Sequence, residues 1–197
     1  GDIDLPAWFI PSRDGAPGPG VVLVHGWESG RDRTLPMAVF LHAAGFHCLT
    51  LDVRGHGANP AEELPISAGE AFAAGKPVVA SALGGLVVLF ATTGGAILAG
   101  AADERVAAVV STSAPADPYR LTRQTFRLAR LPFPDPVAYP LAWLTTRIYL
   151  RPRAHVVRDI NATDGIARYD GPVLLAHGAD DAVVPASHME RLAKAAR

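Results

Sequence analysis

Apolar residues in this chain come in short runs bounded by glycine, proline or charge. Residues 21–24 are such a run, between Pro19-Gly20 and His25-Gly26. Residues 46–51 are another, closed by Asp52. Residues 86–90, 106–111 and 172–176 repeat the pattern, and residues 5–10 form a first run that ends at Pro11. Continuous Val/Leu runs of this length read as strands buried on both faces, the habit of a parallel sheet. Between them, apolar positions recur at helical spacing. In residues 34–44 these are Leu35, Ala38, Val39, Leu41 and His42, with Pro36 in the first turn and Gly45 as the stop. Residues 94–102 predict a helix of small side chains, and residues 187–197 a helix capped near Ala186 or Ser187. Residues 66–83 begin as a helix that Gly75-Lys76-Pro77 should kink or break. Strand and helix alternate, which predicts an α/β fold with a doubly wound, mostly parallel sheet.

Residues 116–171 interrupt this rhythm, because no ordinary loop between two strands is that long. Helical patches are expected at 121–131 and 137–150, punctuated by Pro132, Pro134, Pro136, Pro140 and Pro152. Phe126, Phe133, Tyr139, Trp143 and Tyr149 fall inside the same segment. Arg120, Arg123, Arg127 and Arg130 lie at near-helical spacing and read as a solvated face. The expected division is a core of residues 1–115 and 172–197, C-terminally incomplete, with 116–171 inserted.

Composition narrows the functional classes. With 197 residues, 49% hydrophobic and 19% charged, the chain can build one well-filled core. A formal net charge of −1 gives no general pull toward nucleic acid or an anionic membrane, so neither is expected as a partner. No apolar run is long enough for a membrane helix, and the start is no signal peptide, which makes the cytoplasm the default compartment. The single cysteine, Cys48, excludes an internal disulfide and reads as a buried, inert thiol. No metal-ligand spacing is present. Residues 66–102 carry only Glu70 and Lys76 as charges. An outer helix should show a polar face there. Either a second subunit covers this surface, giving a homo-oligomer, or the stretch departs from a natural sequence.

Three motifs carry candidate chemistry. Val21-Val22-Leu23-Val24-His25-Gly26-Trp27 ends a strand at His-Gly and places the Trp27 amide at the strand's carboxyl end, where ligands bind in open α/β sheets. It is followed by Leu51-Asp52-Val53-Arg54-Gly55-His56-Gly57, in which Asp52 and Arg54 read as holding the turn. Ala176-His177-Gly178-Ala179-Asp180-Asp181-Ala182-Val183-Val184-Pro185 ends a third strand in an acidic loop. Together these segments resemble the α/β-hydrolase family. The resemblance implies an α/β-hydrolase-like fold with a helical cap at 116–171. It also implies hydrolysis of an ester or similar acyl bond on a small-molecule substrate, with no metal or organic cofactor.

The family's nucleophile elbow, G-x-S-x-G, is matched by Phe90-Ala91-Thr92-Thr93-Gly94 followed by Gly95. Thr92 then falls at the nucleophile and Phe90 at the first glycine, and both depart from the pattern. A β-branched threonine suits a strained turn poorly, although a threonine hydroxyl can act as a nucleophile. A rival elbow around Ser81 puts Ala82 at the nucleophile and stands too far from the next strand. The resemblance assigns the triad's acid to Asp181, ahead of Asp180, and the oxyanion donors to the Trp27 and Thr93 amides. Two such donors contribute roughly 3 kcal/mol each. None of the seven histidines (His25, His42, His47, His56, His155, His177, His188) lies where the family pattern places the base. Two function classes follow: an acyl hydrolase, or a binding module that keeps the pocket and has lost the triad. A dehalogenase would want a carboxylate where Thr92 stands.

Overall fold

The computed structural model describes residues 6–26, 29–52, 57–58, 87–91, 94–104, 106–130, 134–150 and 160–197. Its strands are β1 (Ala7–Ile10), β2 (Gly20–Val24), β3 (His47–Leu51), β4 (Val87–Ala91), β5 (Val106–Thr112) and β6 (Val173–Ala176). They form one sheet in the order β1-β3-β2-β4-β5-β6. Only β1 is antiparallel, with Ala7 opposite Leu51, so the expected sheet is parallel in its other pairings. The helices are α1 (Leu35–Ala43), α2 (Gly95–Ala102), α3 (Pro118–Leu128), α4 (Asp135–Leu150), α5 (Ala162–Ile166) and α6 (Ser187–Ala195). The helix expected over 66–83 lies outside the described residues.

Period-two alternation in β2 builds the two layers. Val22 and Val24 point into a core shared with Ile97, Ile166 and Leu192, from α2, α5 and α6. Val21 and Leu23 point to the other face, where Cys48 and Ala38 of α1 close a smaller core. Cys48 is fully buried, as expected, and burial pushes its thiol above the ordinary value.

Two helices start where capping chemistry puts them. The Asp117 side chain accepts from the amides of Tyr119 and Arg120, and Pro118 takes the first helical position. Helix α3 therefore begins at Pro118, three residues before the expected 121. Pro140 does not break α4. It withholds a donor only from the carbonyl of Pro136, in the helix's first turn. Helix α5 was not expected. It is five residues long, carries no usable periodicity, and is announced only by its cap, Asn161.

Within α2, the missing polar face has a cover inside this chain. Gly95, Ala96, Ile97, Ala99 and Gly100 are all buried, with α5 against one side and β5 against the other. A helix that is apolar all round belongs in an interior.

Candidate functional site

The parallel register aligns the carboxyl ends of the strands. Val24 pairs with Leu51 and Ala91, Ala91 with Ser111, and Thr112 with Ala176. The residues just past those ends therefore share one edge: His25 after β2, Asp52 after β3, Ser113 after β5 and His177 after β6. Thr92 and Thr93 follow β4 in sequence; both, with Trp27, lie outside the described residues. The described flanks agree with a strand-turn-helix at that place, since β4 ends at Ala91 and α2 begins at Gly95.

Asp181 sits in the loop after β6. One carboxylate oxygen, Oδ1, accepts the amides of Val183 and Val184, both at 2.9 Å. The Asp181 amide donates to Gly178 O at 3.2 Å. This is an aspartate-closed turn, in which the side chain replaces a backbone acceptor. The second oxygen, Oδ2, lies 3.8 Å from Nε2 of His177, whose side chain is buried. The Val184 amide most of all, then the Val183 amide, a hydroxyl bond from Ser113 and the His177 ring hold the Asp181 carboxyl below its ordinary value, with burial pulling the other way. Asp181 is therefore a carboxylate at neutral pH.

Ser113 was not singled out by the sequence. It has φ +50°, rare for a residue with a side chain, and its amide donates to Ala176 O at 2.9 Å. The available signal was positional, because any residue just past a parallel strand's carboxyl end is a candidate.

Asp52 plays the holding role expected of it. Its carboxylate accepts the Arg31 amide at 2.6 Å, the Ala58 amide at 2.8 Å and the Arg31 guanidinium. The same guanidinium lies 4.4 Å from the Trp8 ring centre. Arg54, expected to hold the same turn, lies outside the described residues, and Arg31 makes the contacts seen. His25 is buried beside this group and donates from Nδ1 to Gly26 O at 2.7 Å.

The other described histidines are held by backbone groups or stand elsewhere. His177 Nε2 donates to Val184 O at 2.5 Å, which fixes the loop that carries Asp181. His188, buried in α6, accepts the Ala116 amide at Nδ1, 3.0 Å away. Burial pushes its imidazole below the ordinary value, which suits that acceptor role. His42 lines a cavity of about 530 Å³ with Arg13, Asp14 and Gly45, at the amino end of β3. His56 and His155 lie outside the described residues.

A serine, a histidine and an aspartate also meet at that opposite edge. Ser12 Oγ donates to Asp14 at 2.9 Å and lies 3.4 Å from His47 Nε2. Yet His47 accepts the Ser12 amide at Nδ1 and donates from Nε2 to Ala16 O. Both ring nitrogens tie down the loop, so neither can take a proton from the hydroxyl. The cluster is a fastening between β3 and residues 12–18.

No group of His, Cys, Asp and Glu suited to a metal ion occurs among the described residues. No described helix is long and apolar enough to cross a membrane.

Comparison with known proteins agrees with this architecture. The chain is 28% identical over 198 residues to uncharacterised proteins from two strains of Mycobacterium tuberculosis. It spans 63% of the length of those curated relatives, and the match covers 98% of this chain. Among solved structures, a Paleococcus ferrophilus monoacylglycerol lipase superposes with a TM-score of 0.68 at 21% identity, over 99% of this chain and 85% of that one. A Pyrococcus furiosus esterase gives 0.68 at 17%, over 98% and 77%. A Sphaerobacter thermophilus alpha/beta hydrolase gives 0.63 at 21%, over 98% and 85%. At such identities the likeness speaks for the fold alone. The model of the alpha/beta hydrolase family matches residues 21–197, and the chain belongs to that family.

Proposed function

We propose that this protein is a hydrolase that cleaves an ester or a similar acyl bond. The observation that carries the reading is Asp181, a charged carboxylate at the carboxyl edge of the sheet, with one oxygen fastened by two amides. In this reading the Thr92 hydroxyl oxygen attacks the acyl carbon, and its proton passes to a histidine that Asp181 orients and that is none of the seven in this sequence. The Trp27 and Thr93 amides stabilise the oxyanion. The alcohol leaves with the histidine's proton, and water then hydrolyses the acyl-enzyme. Neighbouring strands stand about 4.8 Å apart, so the ends of β4 and β6 are separated by roughly 10 Å. A carboxylate after β6 can act on a hydroxyl after β4 only through a ring between them. Helices α3 and α4, from the segment 116–171, form a cap in this reading. The lipase and the esterase among the structural relatives agree with acyl chemistry.

A second reading, a binding module without catalysis, draws on a specific observation. Of the described histidines, the one beside Asp181 is His177, and its Nε2 is engaged by Val184 O. The experiment that separates the two is exposure to a fluorophosphonate ester followed by peptide mapping. The hydrolase reading expects one covalent adduct on Thr92, faster labelling of Thr92→Ser and none of Thr92→Ala. An adduct elsewhere would overturn the nucleophile assignment, and no adduct at all would favour the binding module.

A further inference from the structure

Helix α4 is packed inside out. Ala138, Ala142 and Thr146, spaced by four, are its buried stripe. That stripe meets α3 through small groups, with Thr146 Oγ1 at 3.0 Å from Thr122 Oγ1. The large apolar side chains point the other way: Val137, Leu144 and Ile148 share one outer face, flanked by Trp143, and Ile148 is 63% exposed. A soluble helix normally buries its large side chains and exposes its small ones. Large apolar side chains gathered and exposed on one face mark an interaction surface.

The charges beside it say what it faces. From Asp117 to Leu150 the chain carries five arginines against two aspartates, with no lysine or glutamate, in a protein of net charge −1. The arginine row of α3, expected to be wholly solvated, turns partly toward α4. Arg123 lies 5.4 Å from the Tyr139 ring centre, and Arg127 bonds Asp135 at 3.0 Å. Arg147 lies 4.2 Å from the Trp143 ring centre. The cations thus edge the apolar face, next to the two aromatic rings whose polar tips suit a water–lipid boundary.

We propose that the outer face of α4, with its arginine edge, docks on the surface of an anionic phospholipid bilayer. The helix lies on the bilayer and does not cross it: sixteen residues span about 24 Å and include Asp135 and Arg147. Apolar burial and cation–phosphate attraction then act together. A second copy of this chain fits the face less well, since a two-fold contact would gather both arginine edges into one interface. The proposal does not rest on the hydrolase reading, because its test measures binding and needs no activity.

The test is co-sedimentation of the full chain with phosphatidylcholine vesicles, with and without phosphatidylglycerol, at low and high salt. Binding should require phosphatidylglycerol and weaken with salt. Leu144→Asp and Ile148→Asp should each lower it by about tenfold or more. Arg127→Gln and Arg147→Gln should each lower it about fivefold. If the aspartate variants do not fold, the arginine pair decides the matter. No binding to the anionic vesicles would overturn the proposal, as would binding that ignores lipid charge. So would a concentration-dependent dimer abolished by Ile148→Asp, which would make the face a protein interface.

Discussion

Asp52 and Asp181 both follow parallel strands at the same sheet edge, and both accept backbone amides, yet they are held differently. The Asp52 side chain is 2% exposed, and the Arg31 guanidinium joins two amides in surrounding its carboxylate. The Asp181 side chain is 20% exposed, and both of its amide bonds fall on one oxygen. The other oxygen faces His177 at a distance too long for a hydrogen bond. A carboxylate closed on all sides fixes a turn. One fastened by two amides on one oxygen, with a hydroxyl bond from Ser113 and the His177 ring beside it, keeps its charge and its aim while its side chain still reaches solvent.

The largest effect should come from the second of these. Under the hydrolase reading, Asp181→Asn should slow fluorophosphonate labelling by about four orders of magnitude while the protein stays folded. The same variant has a pH signature. The folded Asp181 carboxyl is depressed, so its contribution to stability is present above the ordinary value of 3.8 and is lost as pH falls through the lower folded value. Asp181→Asn should lack that acid loss in urea titrations at successive pH values. Unchanged labelling would remove Asp181 from the chemistry and make it a second turn carboxylate like Asp52.

Next in size is Asp52→Ala, which leaves the half-buried Arg31 guanidinium without its carboxylate and should cost about 3 kcal/mol by denaturant unfolding. An unchanged midpoint would break the comparison from the other side. Smaller again is a pair of glycine substitutions. Gly57 has φ +58°, and an added Cβ would stand 2.3 Å from Asp52 Oδ1. Gly57→Ala should therefore destabilise by about 2 kcal/mol. At Gly178 an added Cβ meets nothing nearer than Asp181 Cβ at 3.8 Å. Gly178→Ala should stay within about 0.5 kcal/mol of the parent. Equal costs at the two glycines would mean that both carboxylates are enclosed alike.

Much of this was legible in the chain. The apolar runs mark β2 to β6. Strand β2 is buried along its whole length, as a strand covered on both faces must be, but β6 stands at the sheet's edge with Leu174 62% exposed, so the expected burial on both faces fails there. Asp181 was reached through the resemblance of residues 176–185 to the family's loop; that it closes a turn on the Val183 and Val184 amides is seen only in the structure. Helix α5 was not legible, since five residues show no period. Nor was the covering of α2, which depends on α5, some sixty residues away in sequence.

Sequence alone therefore determined the local quantities: which segments are strands, and where α1 starts and stops. These depend on neighbours a few residues apart. Tertiary structure alone decided the relations across the chain. It set Ser113 beside Asp181, engaged His188 with the distant Ala116 amide, and made His47 a fastening rather than a base. It also chose which side of α4 is buried. Periodicity shows that α4 has a small-residue stripe and a large-residue face, but only the close approach of α3 selects the small stripe as the buried one.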